Sequence, residues 1–249
     1  MKSLVCCKRT RDVLFSAKSN DAMKKSISAI IPAGGIGKRF AVDGKKQFFR
    51  LSGRPIIYYT LTSLIEAYEF DQIIIGAASE DFAELENICK SLNINNYLFS
   101  EKGEERSNTV YNALEYCESD YVLIHDSVRP CVDKDVVFNV IQRAFEKDAV
   151  ICGVRPSDTV KLLEDGKISR TLERKKILLT HTPQCFLKKL IWEGLRYVFQ
   201  NGLSVTDDSS AVELLGHPVE VVPSNPENIK VTKYSDIHFL KKYLKNEDY

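Results

Sequence analysis

The sequence predicts an α/β fold built on a mostly parallel, doubly wound sheet with helices on both faces. From residue 27 onward, short apolar or β-branched runs alternate with segments whose apolar residues recur at a spacing of about 3.6 positions. Strands that alternate with helices in this way build parallel sheets. In such Rossmann-like folds, ligands bind at the carboxyl ends of the strands. The polar residues that follow each predicted strand are therefore the candidates for a functional site.

The predicted elements follow one another with short connections. Strands are predicted at residues 28–32, 72–78, 97–100, 121–125 and 149–154, each a short apolar or β-branched run. Helices between them are predicted from apolar residues at helical spacing: Ile57, Leu61, Leu64 and Ile65; Phe82, Leu85, Ile88, Cys89 and Leu92; Val110, Leu114 and Cys117; and Val136, Val137, Val140 and Ile141. Pro55 stands where the first helix would have its first residue. Later in the chain we predict a strand within ILLTHTPQCF, a helix at 187–200, a helix containing DDSSAVELLG, a strand near 219–223 and a final helix from Ser235.

The segment DTVKLLEDGKISRTLER, residues 158–174, interrupts this alternation. Two short β-like runs flank Asp165-Gly166, a strong hairpin turn signal, and they are too polar to form a core element. A two-stranded hairpin is marginal on its own, so we expect a projecting β-hairpin arm, about residues 156–177, that packs against another surface. A second copy of the chain is the simplest such surface, which predicts a homodimer joined through this dimerisation arm.

The composition is typical of an ordinary globular protein. Its 249 residues suit one domain with a sizeable core, and 35 Lys+Arg balance 34 Asp+Glu. This balance argues against nucleic acid as a partner, so any cationic site must be local. No apolar run approaches the roughly 20 residues of a membrane span, and we expect no membrane partner.

The cysteines and residues 1–26 indicate the cellular compartment in which the protein is expected. None of the seven cysteines forms a C-x-x-C pair, and most lie in apolar runs, so reduced core thiols in a cytoplasmic protein are expected. Residues 1–26 are basic and lack an apolar segment long enough for a secretory signal. Asp12 and Asp21 interrupt the acid-poor pattern of a transit peptide, although plastid-type targeting stays an alternative. We expect a disordered extension over 1–26, with Met23 as an alternative start, and one domain over 27–249.

The stretch AIIPAGGIGKRF, residues 29–40, carries an apolar strand into a glycine-rich turn of the kind that presents backbone N–H groups to phosphate. It fits neither familiar phosphate motif. Phe40 stands where a dinucleotide fingerprint has its third glycine, and Arg39 follows Gly37-Lys38 where a P-loop has Ser or Thr. Because Arg39, Lys45 and Lys46 cluster behind the turn, a polyphosphate is the ligand that this stretch suits.

Two later strands also end in polar residues. KGEERSNTV, residues 102–110, places Gly103 and Arg106 before a predicted helix start, which by itself is an ordinary helix cap. HDSVRP, residues 125–130, places Asp126 at a strand end, where a carboxylate could hold Mg²⁺ or a sugar hydroxyl or form a structural ion pair. The four histidines show no metal spacing or nucleophile context. The cations instead favour in-line displacement at phosphorus, where positioning and charge stabilisation provide most of the catalysis.

Seven motifs in order resemble one known family. PAGGIGKRF with KKQF, KGEERSNTVYNAL, VLIHDSVRPCV, DTVK, LERKKILLTHTPQCF, VTDDSSAVELLG and PENIKVT, spanning about residues 27–244, are similar to the 2-C-methyl-D-erythritol 4-phosphate cytidylyltransferases of the non-mevalonate isoprenoid pathway. The resemblance implies that CTP and methylerythritol phosphate are joined, with Mg²⁺, to give 4-diphosphocytidyl-methylerythritol and pyrophosphate.

The resemblance also implies roles for particular residues. Arg39, Lys46 and Lys230 correspond to the catalytic cations. The implied CTP contacts are Pro32, Ala33, Gly34, Gly35, Gly37, Gly103, Glu104, Arg106, Thr109, Asp126 and Ser127. The implied substrate contacts are Asp126, Arg129, Thr159, Arg174, Thr182, Thr206 and Lys230. Thr159 and Arg174 lie on the arm, which in the family dimer reaches the neighbour's site, and Asp126 is the candidate metal ligand beside the CTP phosphates.

Several alternatives stay open at this point. Gly34, Lys45 and Thr109 depart from the commonest family pattern, as does DSV where DAA is frequent. Ribitol 5-phosphate cytidylyltransferases share AGG and HDSVRP, so ribitol phosphate is the alternative substrate, although DTVK and TDDSSA favour methylerythritol phosphate. The missing third glycine argues against a dinucleotide-dependent oxidoreductase. A catalytically inactive CTP-binding protein is the remaining alternative, against which the full set of matched charged residues argues.

Overall fold

The computed structural model describes residues 25–35, 40 and 44–245. Its helices and strands, in chain order, are β1 (Ile27–Pro32), β2 (Arg50–Leu51), β3 (Arg54–Pro55), α1 (Ile56–Ala67), β4 (Gln72–Ala77), α2 (Phe82–Ser91), β5 (Tyr97–Glu101), α3 (Arg106–Leu114), β6 (Tyr121–Ile124), α4 (Lys134–Lys147), β7 (Ala149–Val154), β8 (Lys161–Glu164), β9 (Lys167–Thr171), β10 (Leu179–Leu187), α5 (Lys188–Gln200), α6 (Asp208–Glu213), β11 (Glu220–Pro223) and α7 (Asp236–Lys245). Short 3₁₀ turns lie at Lys46–Phe48, Ser79–Asp81 and Arg174–Lys176.

A seven-stranded sheet in the order β11-β7-β10-β6-β1-β4-β5 forms the centre of the fold. Its strands pair in parallel except β10, which runs antiparallel to both β6 and β7. The predicted mostly parallel, doubly wound sheet is confirmed. Because β10 is reversed, its first residues lie beside the carboxyl ends of its two neighbours, so β10 adds residues to the edge where ligands are expected.

Apolar side chains alternate between the two faces of the sheet, as the period of a β-strand requires. Ala29 and Ile31 of β1 pack in one core with α1, α2 and α4, whereas Ile30 packs in a second core with α3, α5 and α6. A third, smaller cluster joins Phe40 and Val128 to α7. Both faces of the sheet are therefore covered, which explains why its strands are almost wholly apolar.

The predicted arm is a β-hairpin of β8 and β9. Asp165 and Gly166 turn the chain with positive φ angles of 48° and 75°, the conformation that favours Asp-Gly in two-residue hairpin loops. Two apolar residues opposite each other in the ladder, Leu163 and Ile168, are 61% and 63% exposed. The arm thus projects an apolar pair into solvent.

Several local expectations need correction. The helix α3 begins at Arg106 itself, because Glu105 is its N-cap and the Glu105 N–H donates to Asn108 Oδ1, so Arg106 does not precede the helix. Pro55 is likewise the N-cap of α1 and not its first residue. The two-stranded ladder of β2 and β3 was not predicted, since two-residue strands give no periodic signal.

Five cysteines lie in the described part of the chain, and all are buried thiols, as predicted: Cys89, Cys117, Cys131, Cys152 and Cys185. Burial raises the pKa of the Cys152 thiol to about 12. Cys6 and Cys7, with nearly all of the predicted extension over 1–26, lie outside the described residues. Within the described ranges, no helix has both the length and the apolar character to cross a membrane.

Candidate active site

Asp126 lies at the centre of the candidate site, two residues beyond the carboxyl end of β6. Its buried carboxylate contacts three cations: Arg106 Nε lies 2.8 Å from Oδ1, and Arg129 Nε and Lys230 Nζ lie 3.2 and 2.9 Å from Oδ2. Burial alone would raise the pKa of Asp126, but the charges of Arg106, Lys230 and Arg129 outweigh it and hold that pKa well below its usual value. Asp126 is therefore ionised and organises the cations around it.

Arg106 is held by a second buried acid, Asp208, at the start of α6. The distance from Arg106 Nη1 to Asp208 Oδ2 is 2.8 Å, and the Asp208 side chain is 1% exposed. Burial raises the pKa of Asp208, and the charge of Arg106 only partly opposes that shift. Although burial acts in the other direction, Asp208 and Asp126 together raise the pKa of Arg106. Arg106 therefore stays charged, and the two acids fix its orientation.

The glycine-rich turn after β1 opens into a first cavity of about 640 Å³. Nearly all of the predicted CTP contacts that the structure describes line it: Pro32, Gly34, Gly35, Gly103, Glu104, Arg106, Thr109, Asp126 and Ser127, together with Lys46 and Lys230. Ala33 lies beneath the turn and is buried, with its N–H donated to Gly76 O and its carbonyl accepting from Gln47 Nε2. Ala33 therefore supports the turn. Gly37 and Arg39 lie outside the described residues.

Two glycines let backbone segments approach closely around this cavity. A Cβ atom added at Gly34 would lie 2.5 Å from Lys102 Cβ, and one added at Gly103 would lie 2.2 Å from Asn108 Cβ. The Gly103 N–H donates to Thr109 Oγ1, which itself donates to Glu105 O, so the Thr109 hydroxyl shapes the turn from β5 into α3. The close approach leaves backbone groups of both turns facing one cavity.

The adjacent lysines 45 and 46 point in different directions. Lys46 lines the first cavity, and its Nζ donates to Val231 O at 3.2 Å, next to Lys230 in the chain. Lys45 Nζ lies 2.6 Å from Asp81 Oδ2 and 2.9 Å from Glu80 Oε1. The two acids hold Lys45 away from the cavity, so the predicted phosphate-binding cluster does not include it.

A second cavity of about 840 Å³ adjoins the first. It is lined by the predicted substrate contacts Arg129, Thr182 and Thr206, and it shares Arg106, Asp126 and Lys230 with the first cavity. Two ligands, one in each cavity, would therefore meet beside Asp126 and Lys230. Thr159 and Arg174, on the arm, line neither cavity of their own chain.

Several residues that line the cavities or contact their lining were not predicted from the sequence, and Asp208 and Lys102 are two of the charged ones. Asp208 could have been suspected as the second acid of TDDSSA, although nothing in the sequence pairs it with Arg106. Lys102, which lines the first cavity, precedes Gly103 at the end of β5 and carries no motif signal of its own.

The described residues do not form a protein-held Mg²⁺ site. Among them there is no group of three or more His, Cys, Asp or Glu side chains that could ligate a metal. Both carboxylate oxygens of Asp126, the predicted ligand, are already in ion pairs with cations. A divalent cation bound directly to Asp126 would share these oxygens with the surrounding cations and be repelled by them.

Comparisons with known proteins show which family the chain resembles over nearly its whole length. Residues 27–246 match the family model for 2-C-methyl-D-erythritol 4-phosphate cytidylyltransferase. Proteins of that name from Clostridium beijerinckii and Syntrophus aciditrophicus are each 38% identical to the chain, over 88% and 91% of its length and 99% of theirs. The crystal structure of 4-diphosphocytidyl-2C-methyl-D-erythritol synthase from Anaerococcus prevotii matches with a TM-score of 0.80 at 30% identity, over 89% of this chain and 96% of that one. The resemblance noted in the sequence is thereby confirmed, and the chain belongs to the 2-C-methyl-D-erythritol 4-phosphate cytidylyltransferase family.

Proposed function

We propose that the chain transfers the cytidylyl group of CTP to 2-C-methyl-D-erythritol 4-phosphate, giving 4-diphosphocytidyl-2-C-methyl-D-erythritol and pyrophosphate. A phosphate oxygen of the polyol attacks the α-phosphorus, while the bond from that phosphorus to the α–β bridging oxygen breaks and pyrophosphate takes the electron pair. The observation that carries this proposal is the pair of cavities that meet beside Asp126 and Lys230 in a member of this family. Family membership favours this reaction over ribitol phosphate transfer, dinucleotide oxidoreduction and inactive CTP binding.

The first cavity suits the nucleotide. Backbone at Gly34 and Gly35 faces it, and Lys46 and Lys230 supply cations beside the position where a triphosphate would lie. Negative charge increases on the equatorial and leaving oxygens during transfer, so fixed cations stabilise the transition state more than the ground state. Arg39 stays a predicted third cation of this set. Backbone groups around Gly103 and Glu104 can select cytosine, because a wrong base would leave a buried polar group unpaired.

The second cavity suits the polyol phosphate. Arg129 and Thr206 line it, and Lys230 reaches both cavities while its side chain stays 34% exposed. Lys230 can therefore contact the attacking phosphate and the nucleotide at once. Positioning two anions together in this way provides most of the catalysis of phosphoryl transfer.

We also propose that the active site is shared between two copies of the chain. Thr159 and Arg174 line neither cavity of their own chain, and the exposed pair Leu163 and Ile168 would be covered by a partner. Co-expression of Lys46→Ala and Arg174→Ala subunits tests this arrangement. If Arg174 acts in the partner's site, each mixed dimer has one intact site, and random pairing restores about a quarter of wild-type activity. Activity no higher than that of the two single variants would contradict sharing.

Two further expectations belong to this proposal. We propose that Mg²⁺ arrives bound to the triphosphate, since both oxygens of Asp126 are engaged by cations. We also propose a cytoplasmic location, because the buried thiols suit a reducing compartment.

The experiment that tests the proposed reaction compares adjacent lysines. Lys46→Ala removes a charge-stabilising group, and we expect kcat for pyrophosphate release to fall by about two orders of magnitude or more. Lys45→Ala is the matched control, because Lys45 pairs with Glu80 and Asp81 away from the cavity, and its kcat should stay close to that of the wild type. Equal effects of the two substitutions would contradict the assignment of Lys46.

A further inference from the structure

His125 is a fully buried histidine between β6 and Asp126, and both of its ring nitrogens have partners. Nδ1 lies 3.1 Å from Thr182 Oγ1, and Nε2 lies 3.0 Å from Arg129 O. The Asp126 N–H donates to the same Thr182 Oγ1 at 3.0 Å. A continuous hydrogen-bond chain therefore runs from the Asp126 backbone through Thr182 and His125 to the Arg129 backbone.

The proton positions in this chain follow from its two ends. Arg129 O is a carbonyl and can only accept, so His125 Nε2 must carry a hydrogen. In a neutral ring Nδ1 is then an acceptor, and the Thr182 hydroxyl must direct its single hydrogen at Nδ1 while it accepts from Asp126 N–H. The ring is fully buried, and both of its partners, the Thr182 hydroxyl and the Arg129 carbonyl, are uncharged groups, which favours the neutral form. Thr182 therefore has no hydrogen left to donate to a phosphate.

The hydrogen-bond chain closes on the turn that carries three predicted ligand contacts, Asp126, Ser127 and Arg129. Arg129 N also donates to Asp126 O at 3.1 Å, so the turn from Asp126 to Arg129 is held at both ends. Thr182 belongs to β10, and its own carbonyl accepts from Asn228 Nδ2. The imidazole thus connects the turn to the reversed strand of the sheet.

We propose that His125 is a positioning residue for the reaction, and that Thr182 acts with it by fixing the Asp126–Arg129 turn to β10 instead of donating a hydrogen bond to the substrate phosphate. This inference rests on the proposed function for its kinetic tests. Asp126 lines both cavities, so the Asp126 end of the hydrogen-bond chain should affect kcat. Arg129 lines only the second cavity, so the Arg129 end should affect KM for the polyol phosphate.

The inference can be tested on the wild-type protein by NMR, without measuring enzymatic activity. Nitrogen-15 NMR of the imidazole rings at neutral pH identifies which nitrogen carries the hydrogen, and comparison with His125→Asn assigns the His125 signals among the four histidines. We expect hydrogen on Nε2 and none on Nδ1. Hydrogen on Nδ1 with bare Nε2 would overturn the inference, whether or not the proposed reaction takes place.

Substitutions then separate the two ends of the hydrogen-bond chain. His125→Gln can keep a donor near Arg129 O but loses the acceptor for Thr182, and we expect kcat to fall about tenfold. His125→Asn can keep an acceptor near Thr182 but loses the donor to Arg129 O, and we expect KM for the polyol phosphate to rise about tenfold with a smaller change in kcat. The exposed His238→Gln is the control and should match the wild type.

Thr182 supplies the conservative test. Thr182→Ser keeps the hydroxyl and should retain activity within about twofold, whereas Thr182→Val leaves Asp126 N–H and His125 Nδ1 unpaired and should lower kcat about tenfold. A Thr182→Val variant that only raises KM for the polyol phosphate, together with unaffected His125 variants, would show direct substrate contact and overturn the inference. If the His125 variants do not fold, the inference is tested by the tautomer of His125 in the wild type and by the comparison of Thr182→Ser with Thr182→Val.

Discussion

Replacing Asp126 with asparagine removes the anion that three cations share. The contacts measure 2.8, 3.2 and 2.9 Å. At an effective dielectric constant of about 20, each contact contributes roughly 5–6 kcal/mol of attraction before desolvation is counted. Desolvation offsets most of this, and loss of one partner from a buried ion pair typically costs about 3–5 kcal/mol. We expect Asp126→Asn to lower the free energy of unfolding by that amount, because Arg106 and Arg129 would lose their shared counter-charge.

Urea unfolding at pH 7 measures this loss. Glu220→Gln is the matched control, because it removes an equally short ion pair, with Arg143 Nη2 at 2.9 Å, that is exposed and should contribute less than about 1 kcal/mol. The depressed pKa of Asp126 means that its contribution is present above its unfolded pKa of about 3.8 and is lost as the pH falls well below that value. The difference between Asp126→Asn and the wild type should therefore persist to pH 4 and shrink in stronger acid. A loss no larger than that of Glu220→Gln would refute the argument.

Three other predictions follow from local geometry. Gly103→Ala places a Cβ atom 2.2 Å from Asn108 Cβ, and should lower stability by about 1–3 kcal/mol and raise KM for CTP; an unchanged Tm would contradict this. Burial lowers the pKa values of His125 and His181 to about 4, so unfolding takes up protons below the unfolded value near 6.5. Stability measured by urea should therefore fall by about 2 kcal/mol between pH 7 and pH 5 for the fully buried His125, and by less for the half-buried His181, whose charge solvent screens. A flat profile would count against a neutral, buried His125. Replacing Leu163 and Ile168 with serine removes the exposed apolar pair of the arm and should shift sedimentation from the proposed dimer toward the monomer. Unchanged sedimentation would contradict an interface formed by the arm.

The strand pattern and the carboxyl-end rule placed the glycine-rich turn, Arg106 and Asp126 at one edge of the sheet, because both depend on local sequence. Thr182, Thr206 and Lys230 entered the predicted site only through the family resemblance. The run before Pro32 and the run before Asp126 are apolar and short, and parallel strands bring their carboxyl ends to one edge. The lysines at 45 and 46 show the limit of local reasoning. Their residue types do not distinguish them, and although the resemblance assigns a role to Lys46 alone, only the structure shows that Glu80 and Asp81 hold Lys45 away from the cavity.

The parts of the site that could not be predicted depend on contacts between residues far apart in the sequence. Asp208 lies about a hundred positions beyond Arg106, and no periodic signal pairs them. Thr182 reaches Asp126 because β10 runs antiparallel between β6 and β7, whereas the alternation of strands and helices suggests only parallel neighbours. The hydrogen-bond chain through His125 depends on that reversal, so it could not be predicted before the strand order was known.

The most direct measurement of the central claim is pyrophosphate release from CTP with Mg²⁺, comparing 2-C-methyl-D-erythritol 4-phosphate with ribitol 5-phosphate as the acceptor. CTP alone provides the background rate. We predict release that depends on methylerythritol phosphate, with little or none from ribitol phosphate. Turnover with ribitol 5-phosphate alone, or none with either acceptor, would contradict the proposed function.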